Sequence, residues 1–394
     1  MSSPLPLDGI RVVEFTHMVM GPTCGLILAD LGADVVKIEP MPDGDKTRRL
    51  VGAGAGFFAT FNRNKRSVAV DLKSPRGARL VRKLIARADA VIENFRPDAM
   101  ERLGFGHEAL LAEFPRLIYC ALKGFLSGPY ENRVALDEVV QMMGGLAYMT
   151  GPPGRPLRAG ASVNDIMGGM FGAIAILAAL QERQRTGKGQ LVTSALFENN
   201  AFLVAQHMAQ QAVTGKPPEP MPNRLPAWAI YDIFDTSDGG QLFVGVVTDT
   251  QWKLFCEAFH RADLYADATL DTNPKRVTAR PRLLPVVAEI IRRHTRAEMM
   301  ALCERIGLPF APITRPGDLF DDPQLNQPGG MTEVELDDGR RVRLPGMPVE
   351  MAGRRFGSRI GLPKLGADSR ALAQEAGLGA AEIAAMLKEG SLGE

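Results

Sequence analysis

Hydrophobic and polar positions fall into alternating blocks along the first third of the chain. "IRVVEF" (10–15) is a short β-branched run, and "GPTCGLILADLG" (21–32) has the pattern of a buried helix. "DVVKIE" (34–39) is a second β-rich run. Strand, helix and strand at this spacing predict a βαβ crossover and parallel strands. The alternation continues with strands at "KRSVAVDL" (65–72), "DAVIENF" (89–95) and "LIYCALKGF" (117–125). Between them, "PRGARLVRKLIARA" (75–88) and "EALLAEFP" (108–115) have helical spacing. Residues 1 to about 125 therefore predict a doubly wound α/β domain.

The pattern then changes. Residues 161 to about 212 read as helix, interrupted by "TGKGQLVTSALF" (186–197). The Pro-rich stretch "TGKPPEPMPNRLPAW" (214–228) predicts an extended connector. "YDIFDTSDGGQLFVGVV" (231–247) predicts a hairpin, and helical patterns cover 251–306. "LPFAPITRPGDLFDDPQL" (308–325) leads back from this smaller α+β region. "MTEVELDDGRRVRLPGMPVEM" (331–351) predicts two more strands, and "AAEIAAMLKE" (380–389) a short helix.

Composition narrows the functional classes. A 394-residue chain that is 45% hydrophobic has ample material for a large core. Its net charge of +1 argues against nucleic acid as a partner. The four cysteines, Cys24, Cys120, Cys256 and Cys303, lie far apart and form no C-x-x-C pair. They read as reduced thiols in a cytoplasmic protein, with no metal site and no disulfide framework. The N-terminus lacks the basic and apolar regions of a signal peptide. The longest apolar run, Ile166–Leu180, has 15 residues, which is short for a membrane span, so no membrane partner is expected.

The first βα turn invites a dinucleotide reading, with Glu39 placed where a ribose-binding acid often sits. However, "THMVMGP" (16–22) lacks G-x-G-x-x-G, so its backbone cannot approach a pyrophosphate closely. Asp165 is the more informative acid. It stands where the small-residue helix "NDIMGGMFGAIAILAAL" (164–180) begins. Asp is a favoured N-cap residue, and a plug role at the helix end is one reading. The other is chemical: a carboxylate at a helix N-terminus stays ionised and can attack an activated acyl group. Gly168 and Gly169 clear space in the next turn for a large ligand. Asn94, Arg96 and Arg102 follow a strand expected to be parallel, where ligands gather. His17 lies just past the end of the first strand.

The ordered blocks "PLDGIRVVEFTHMVMGP", "LGADVVKIEP", "NRNKRSVAVDLK", "VIENFRPDAMERLG", "GLAYMTG" and "NDIMGGMFGAIAILAALQERQRTGKGQ" make the chain resemble the family III CoA-transferases. That family includes formyl-CoA and carnitine CoA-transferases, and α-methylacyl-CoA racemases share its fold. The resemblance implies a Rossmann-like large domain built from both chain ends, a small α+β domain and an interlocked homodimer. The expected ranges are 1–190 for the first part of the large domain, 191–225 for a linker and 226–315 for the small domain. A return linker (316–335) and the rest of the large domain (336–394) follow.

The resemblance also implies Asp165 as nucleophile, and CoA contacts at Val70, Asp71, Leu72 and Lys73, at Asn94, Phe95 and Arg96, at Arg102, and from Val134 to Asp137. His17 and Val19 are further candidates to face substrate, and helix geometry, apart from the resemblance, offers the backbone N–H groups near Gly168 and Gly169 for stabilising oxyanions. Coenzyme A and acyl-CoA are substrates in this scheme, with no tightly bound cofactor. CoA would pass from an acyl-CoA donor to a carboxylic acid through an aspartyl anhydride and an aspartyl thioester.

Some positions depart from relatives' patterns. Val19 and Pro40 replace a glutamine and an arginine of the formyl-CoA enzymes, and "TSDGGQLF" (236–243) is a short turn where those enzymes carry a glycine-rich loop. Leu136 precedes Asp137 where racemases place a histidine; leucine moves no proton, so two-base racemisation is disfavoured. A racemase and a CoA-binding scaffold without turnover remain the alternatives. Arg133, Arg155, Arg158 and Arg224 supply candidates for holding the distal carboxylate of a dicarboxylate such as succinate, glutarate, malate or itaconate.

Overall fold

The computed structural model describes residues 4–224 and 226–394. Residues 1–3 and Leu225, which fall inside the expected domain ranges, lie outside that description. The chain divides into two units, Met1–Pro222 with Pro323–Glu394, and Asn223–Asp322.

The larger unit begins β1 (Arg11–Phe15), α1 (Met20–Asp30), β2 (Asp34–Pro40), α2 (Phe57–Phe61), β3 (Lys65–Val70), α3 (Pro75–Ile85) and β4 (Ala90–Glu93). Next come α4 (Ala99–Arg102), α5 (His107–Glu113), β5 (Ile118–Lys123), α6 (Asp137–Met143), α7 (Leu146–Thr150), α8 (Val163–Thr186), β6 (Leu191–Ala195) and α9 (Leu196–Thr214). Among the described residues the main sheet has seven strands in the order β14-β3-β2-β1-β4-β5-β6, where β14 is Leu392–Gly393. All neighbours are parallel except β14, which runs antiparallel to β3. The mixed α/β class with a parallel central sheet is therefore as the sequence predicts.

Both faces of the sheet are buried, as parallel sheets require. Val12 and Val35 point into one core with Cys24, Leu28 and Ile176. Val13, Phe15 and Val36 point into the other with Leu80, Leu84 and Leu372. Strand order reverses between β1 and β4, so the loops after these two strands diverge and leave a crevice. Open α/β sheets bind ligands at such a point.

Two stretches expected to be connectors are ordered elements. Residues 191–214 supply edge strand β6 and helix α9, although 191–225 was expected as a linker. β6 escapes notice because its first three residues, Leu191, Val192 and Thr193, are only partly covered, so its apolar alternation is weak. The range 316–335 contains a short 3₁₀ turn (Pro316–Asp321) and a strand, β10 (Met331–Glu335).

α8 is the one described helix long and apolar enough to span a membrane. Here it lies on α1 and beside β5 and β6. Gly169 permits this: an added Cβ would stand 2.6 Å from the Met20 carbonyl oxygen and 3.0 Å from the Cys24 nitrogen.

The smaller unit has a three-stranded antiparallel sheet of β7 (Ile230–Asp235), β8 (Gln241–Val246) and β9 (Phe310–Pro312). Helices α10 (Asp249–Ala258), α11 (Ala262–Ala266), α12 (Asn273–Thr278), α13 (Arg280–Arg292) and α14 (Arg296–Ile306) complete it around Trp252, Phe255, Leu283 and Ile291. After the return, β10 pairs with β11 (Arg341–Pro345), and β12 (Met347–Met351) pairs with β13 (Arg354–Phe356). Residues 331–351 thus hold three strands where two were expected. The helices α15 (Ser369–Glu375) and α16 (Ala380–Glu389) then lead to β14.

Candidate active site

A cavity of about 440 Å³ opens at the carboxyl ends of β1, β4 and β5. His17 and Met18 come to it from the loop after β1, Met20 from the first turn of α1, and Asn94, Phe95 and Arg96 from the loop after β4. Arg133, Leu136 and Asp137 come from the approach to α6, while Arg158 and Asp165 complete the wall. A second cavity of about 690 Å³ is lined by Val70, Asp71, Leu72 and Lys73 after β3, with Met41, Leu103 and Phe95. Phe95 borders both spaces.

Asp165 is the third residue of α8, not its cap. Ser162 holds the N-cap position and makes no side-chain cap. The cap comes from another helix. The Asp137 Oδ1 accepts the backbone N–H groups of Asn164 at 2.8 Å and Asp165 at 3.2 Å. Asp137 is itself 7% exposed, and its Oδ2 accepts from Gln141 Nε2 at 2.5 Å. Since Asp137 satisfies the helix start, the Asp165 carboxylate is left without a hydrogen-bond or ion-pair partner among the described residues. A plug role for Asp165 is thereby removed.

The charge state differs from expectation too. The Asp165 carboxyl is pushed up to about 7, first by removal from water and then by the negative Asp137, with Arg158 opposing. A helix N-terminus alone would hold it down. Burial beside a second carboxylate is the larger effect here.

Gly168 and Gly169 do not line the cavity. They sit in the second turn of α8, where their N–H groups bond within the helix. The first turn offers no free donors either, because Val163 N–H reaches Ala161 O and Ile166 N–H reaches Ser162 O. The glycines serve packing: an added Cβ at Gly168 would meet the Met20 Cε at 2.4 Å. Their expected oxyanion role therefore fails on geometry. Val19 is likewise buried at the start of α1, and its neighbours Met18 and Met20 face the space instead.

The Asn94 amide is occupied by His17. Its Oδ1 accepts the His17 N–H at 3.0 Å, and its Nδ2 donates to the His17 carbonyl at 2.8 Å. Loss of water around the His17 ring lowers its pKa, with Lys37, Lys46 and Arg96 adding to the effect and Asp45 opposing. The imidazole is held toward its neutral form. Glu39 is no ribose ligand: it is buried, and Arg48 grips both its oxygens at 2.8 and 2.9 Å. Arg102, at the end of α4, lines neither cavity, although its neighbour Leu103 lines the second.

Of the four candidate arginines, Arg133 and Arg158 line the first cavity. Arg158 is already paired with Glu138 at 2.6 Å and lies 3.5 Å from Asp137. Arg133 has no carboxylate partner among the described residues and lies 4.9 Å from the Tyr130 ring centroid. Arg155 is outside the cavity lining, and Arg224 belongs to the smaller unit.

Sequence reasoning missed a buried charge cluster beneath the His17 loop. Glu14 on β1 pairs in register with Lys37 on β2, and Lys65 on β3 lies 2.9 Å from Glu14. Charges set among the β-branched residues of three central strands, Glu14, Lys37 and Lys65, were the available signal, because buried charges must find partners.

Comparison with known proteins agrees with this geometry. Residues 7–369 match the model of CoA-transferase family III. The succinate–glutarate CoA-transferase of Agrobacterium fabrum is 34% identical, over 92% of this chain and 93% of its own. The mouse succinyl-CoA:glutarate CoA-transferase is 31% identical over 94% and 86%. A CAIB/BAIF family protein from Brucella suis superposes with a TM-score of 0.83 at 35% identity, covering 95% of this chain and all of that one. The sheet order, the cavity at its reversal point and the match along nearly the whole chain thus converge: the protein belongs to the family III CoA-transferases.

Proposed function

We propose that the protein transfers CoA between two carboxylic acids, at least one of them a dicarboxylate, with Asp165 as the covalent relay. One observation carries this reading. Asp165 presents an unpartnered carboxylate, pushed up to about 7 by burial, to a cavity at the reversal point of the sheet. A poorly solvated carboxylate near its ionisation midpoint is a stronger nucleophile than one free in water.

The proposed sequence is balanced in acyl groups. An Asp165 oxygen attacks the donor thioester carbon and the C–S bond breaks, giving a mixed anhydride and CoA thiolate. The thiolate attacks the aspartyl carbonyl, releasing the donor acid and leaving an aspartyl-CoA thioester. The acceptor carboxylate attacks that thioester, forming a second anhydride and freeing thiolate again. Thiolate then attacks the acceptor's acyl carbon, and Asp165 leaves as carboxylate. Since the α8 amides are occupied, developing negative charge is met from the His17 side of the cavity, where a neutral imidazole can donate.

CoA would run from the larger cavity, past Phe95, to Asp165. Val70, Asp71, Leu72 and Lys73 would border its distal part, with Asn94 acting through His17 rather than on the ligand. Arg96 and Arg133 line the cavity without a carboxylate partner among the described residues; Arg96 follows Phe95 on the CoA path, and Arg133 is assigned to the distal carboxylate of the acid. Relatives named for succinate, glutarate, mesaconate and D-citramalate support a dicarboxylate, and one is named for acetyl-CoA and oxalate. Leu136 faces the cavity where a racemase would need a base, which disfavours proton abstraction. Two subunits are proposed to associate as an interlocked homodimer, in keeping with exposed apolar side chains on α8 and α9 such as Ile174, Phe202 and Met208.

The test is exchange of CoA from succinyl-CoA to a panel of acids. Glutarate and related dicarboxylates should accept it; acceptance by monocarboxylates alone would overturn the substrate reading.

A further inference from the structure

The loop between β1 and α1 carries His17 and Met18 into the proposed active site, and the first turn of α1 carries Met20. Three side chains from other strands and loops hold it. Asn94 pairs with both backbone groups of His17. At one end, Lys37 Nζ donates to the Thr16 carbonyl at 2.8 Å. Beyond the other, in the first turn of α1, Lys65 Nζ donates to the Pro22 carbonyl at 2.9 Å. Both ammonium groups are fully buried, with side chains 0% exposed.

We propose that Lys37 and Lys65 are positioning residues for acyl transfer, clamping the β1–α1 loop at Thr16 and the first turn of α1 at Pro22 so that His17 and Met20 keep their place opposite α8. This rests on the reading of Asp165 as the acyl relay. Lys65 donates to three acceptors, and Lys37 to one, with two carboxylates beside it. Lys37 reaches Thr16 O, Asp45 Oδ2 at 2.9 Å and Glu14 Oε1 at 3.5 Å. Lys65 reaches Pro22 O, Glu14 Oε1 at 2.9 Å and Asn62 Oδ1 at 3.2 Å. An ammonium has three donors, so Lys65 is saturated with no donor left for water, while Lys37 donates to Thr16 O with the Asp45 and Glu14 carboxylates at ion-pair distance. A core held only for stability would be served as well by apolar side chains of similar volume. Here the charge is aimed at two carbonyls, Thr16 and Pro22, on either side of the entry to α1.

The brace reaches α8 through Met20. The Met20 side chain fills the space over Gly168, one turn beyond Asp165, and the Met20 carbonyl abuts Gly169. Release of the loop would therefore loosen the face of α8 on which the carboxylate is carried. The cluster is also titratable. Burial lowers Lys65 to about 8, with Lys37 adding to the effect and Glu14 and Asp45 opposing. Neutral Lys65 would have two donors for three acceptors.

The experiment compares wild type with the charge-balanced Glu14→Met/Lys65→Met protein. Acyl-CoA is added, and acylation of Asp165 is followed by hydroxylamine trapping and mass spectrometry. The variant should acylate slower by on the order of a hundredfold, with KM for acyl-CoA nearly unchanged, because a small misplacement costs rate more than binding. An unchanged acylation rate in folded variant overturns the proposal. Should the variant not fold, wild type decides. Between about pH 7 and about pH 9, hydrogen exchange in 16–22, corrected for its intrinsic pH dependence, should rise while that of 172–180 does not. A flat profile overturns it. Absence of a hydroxamate on wild-type Asp165 would instead refute the relay, leaving the exchange result to judge the clamp by itself.

Discussion

Asp137 caps the helix that carries Asp165: one carboxylate oxygen, 3.2 Å from the Asp165 amide nitrogen, holds the backbone while raising the pKa of the side chain. Removal from water first, and this buried acid second, keep the carboxyl of the proposed nucleophile poised near neutrality. The cap from Asp137 also explains why Asp165 needs no partner of its own.

Replacing Asp137 separates these two effects. Asp137→Asn keeps an oxygen for the α8 amides and removes the negative charge, so the acidic limb of the rate profile should move to lower pH. Asp137→Ala removes the cap as well and should cost about 1 kcal/mol of stability. Chemical denaturation and a pH–rate series check both.

The raised carboxyl has a definite pH signature. Asp165 ionises at about 7 when folded, against 3.8 for an ordinary aspartate, so between those values the folded protein binds more protons than the unfolded chain. Stability contributed by this group therefore falls as pH rises through that window. Turnover moves oppositely, rising with ionisation. Asp165→Asn should abolish exchange and melt higher than wild type at pH above 7, with the advantage vanishing below the unfolded pKa. A lower melting temperature for the variant at high pH would contradict the burial of a charged Asp165.

Arg133 is proposed to hold the distal carboxylate of the acid. Arg133→Met should lower kcat/KM for glutarate by roughly 10–100-fold, the loss expected for one charge-assisted contact. Butyrate should be nearly unaffected. Equal loss for both acids would mean that Arg133 holds the CoA or the loop instead.

The glycines of α8 are packing residues. Gly169→Ala puts a Cβ 2.6 Å from a backbone oxygen of α1, and should destabilise by roughly 1–3 kcal/mol through overpacking. Gly160→Ala, with nothing within 4 Å, should be neutral. Thermal melts of both variants decide it.

The parallel sheet was legible because β1 to β5 are β-branched runs separated by helical spacing. β6 was not, because an edge strand with partly covered residues has little apolar pattern to show. The importance of Asp165 could be suspected from an acid before a small-residue helix. Its true helix position could not, since the capping oxygen comes from Asp137, nearly thirty residues earlier. The same limit hid the roles of Gly168 and Gly169. Spacing shows that space is available, but only the fold shows that Met20 and α1 fill it. The buried lysines were visible as charges in apolar strands, yet their targets, the Thr16 and Pro22 carbonyls, depend on loop geometry.

The central claim is that Asp165 becomes covalently acylated. Incubation with succinyl-CoA and hydroxylamine, followed by peptide mass spectrometry, measures it directly. The account predicts a hydroxamate on Asp165 that is absent in Asp165→Asn and suppressed by an acceptor acid. Undiminished CoA exchange by Asp165→Ala, or a hydroxamate on another residue, would contradict it.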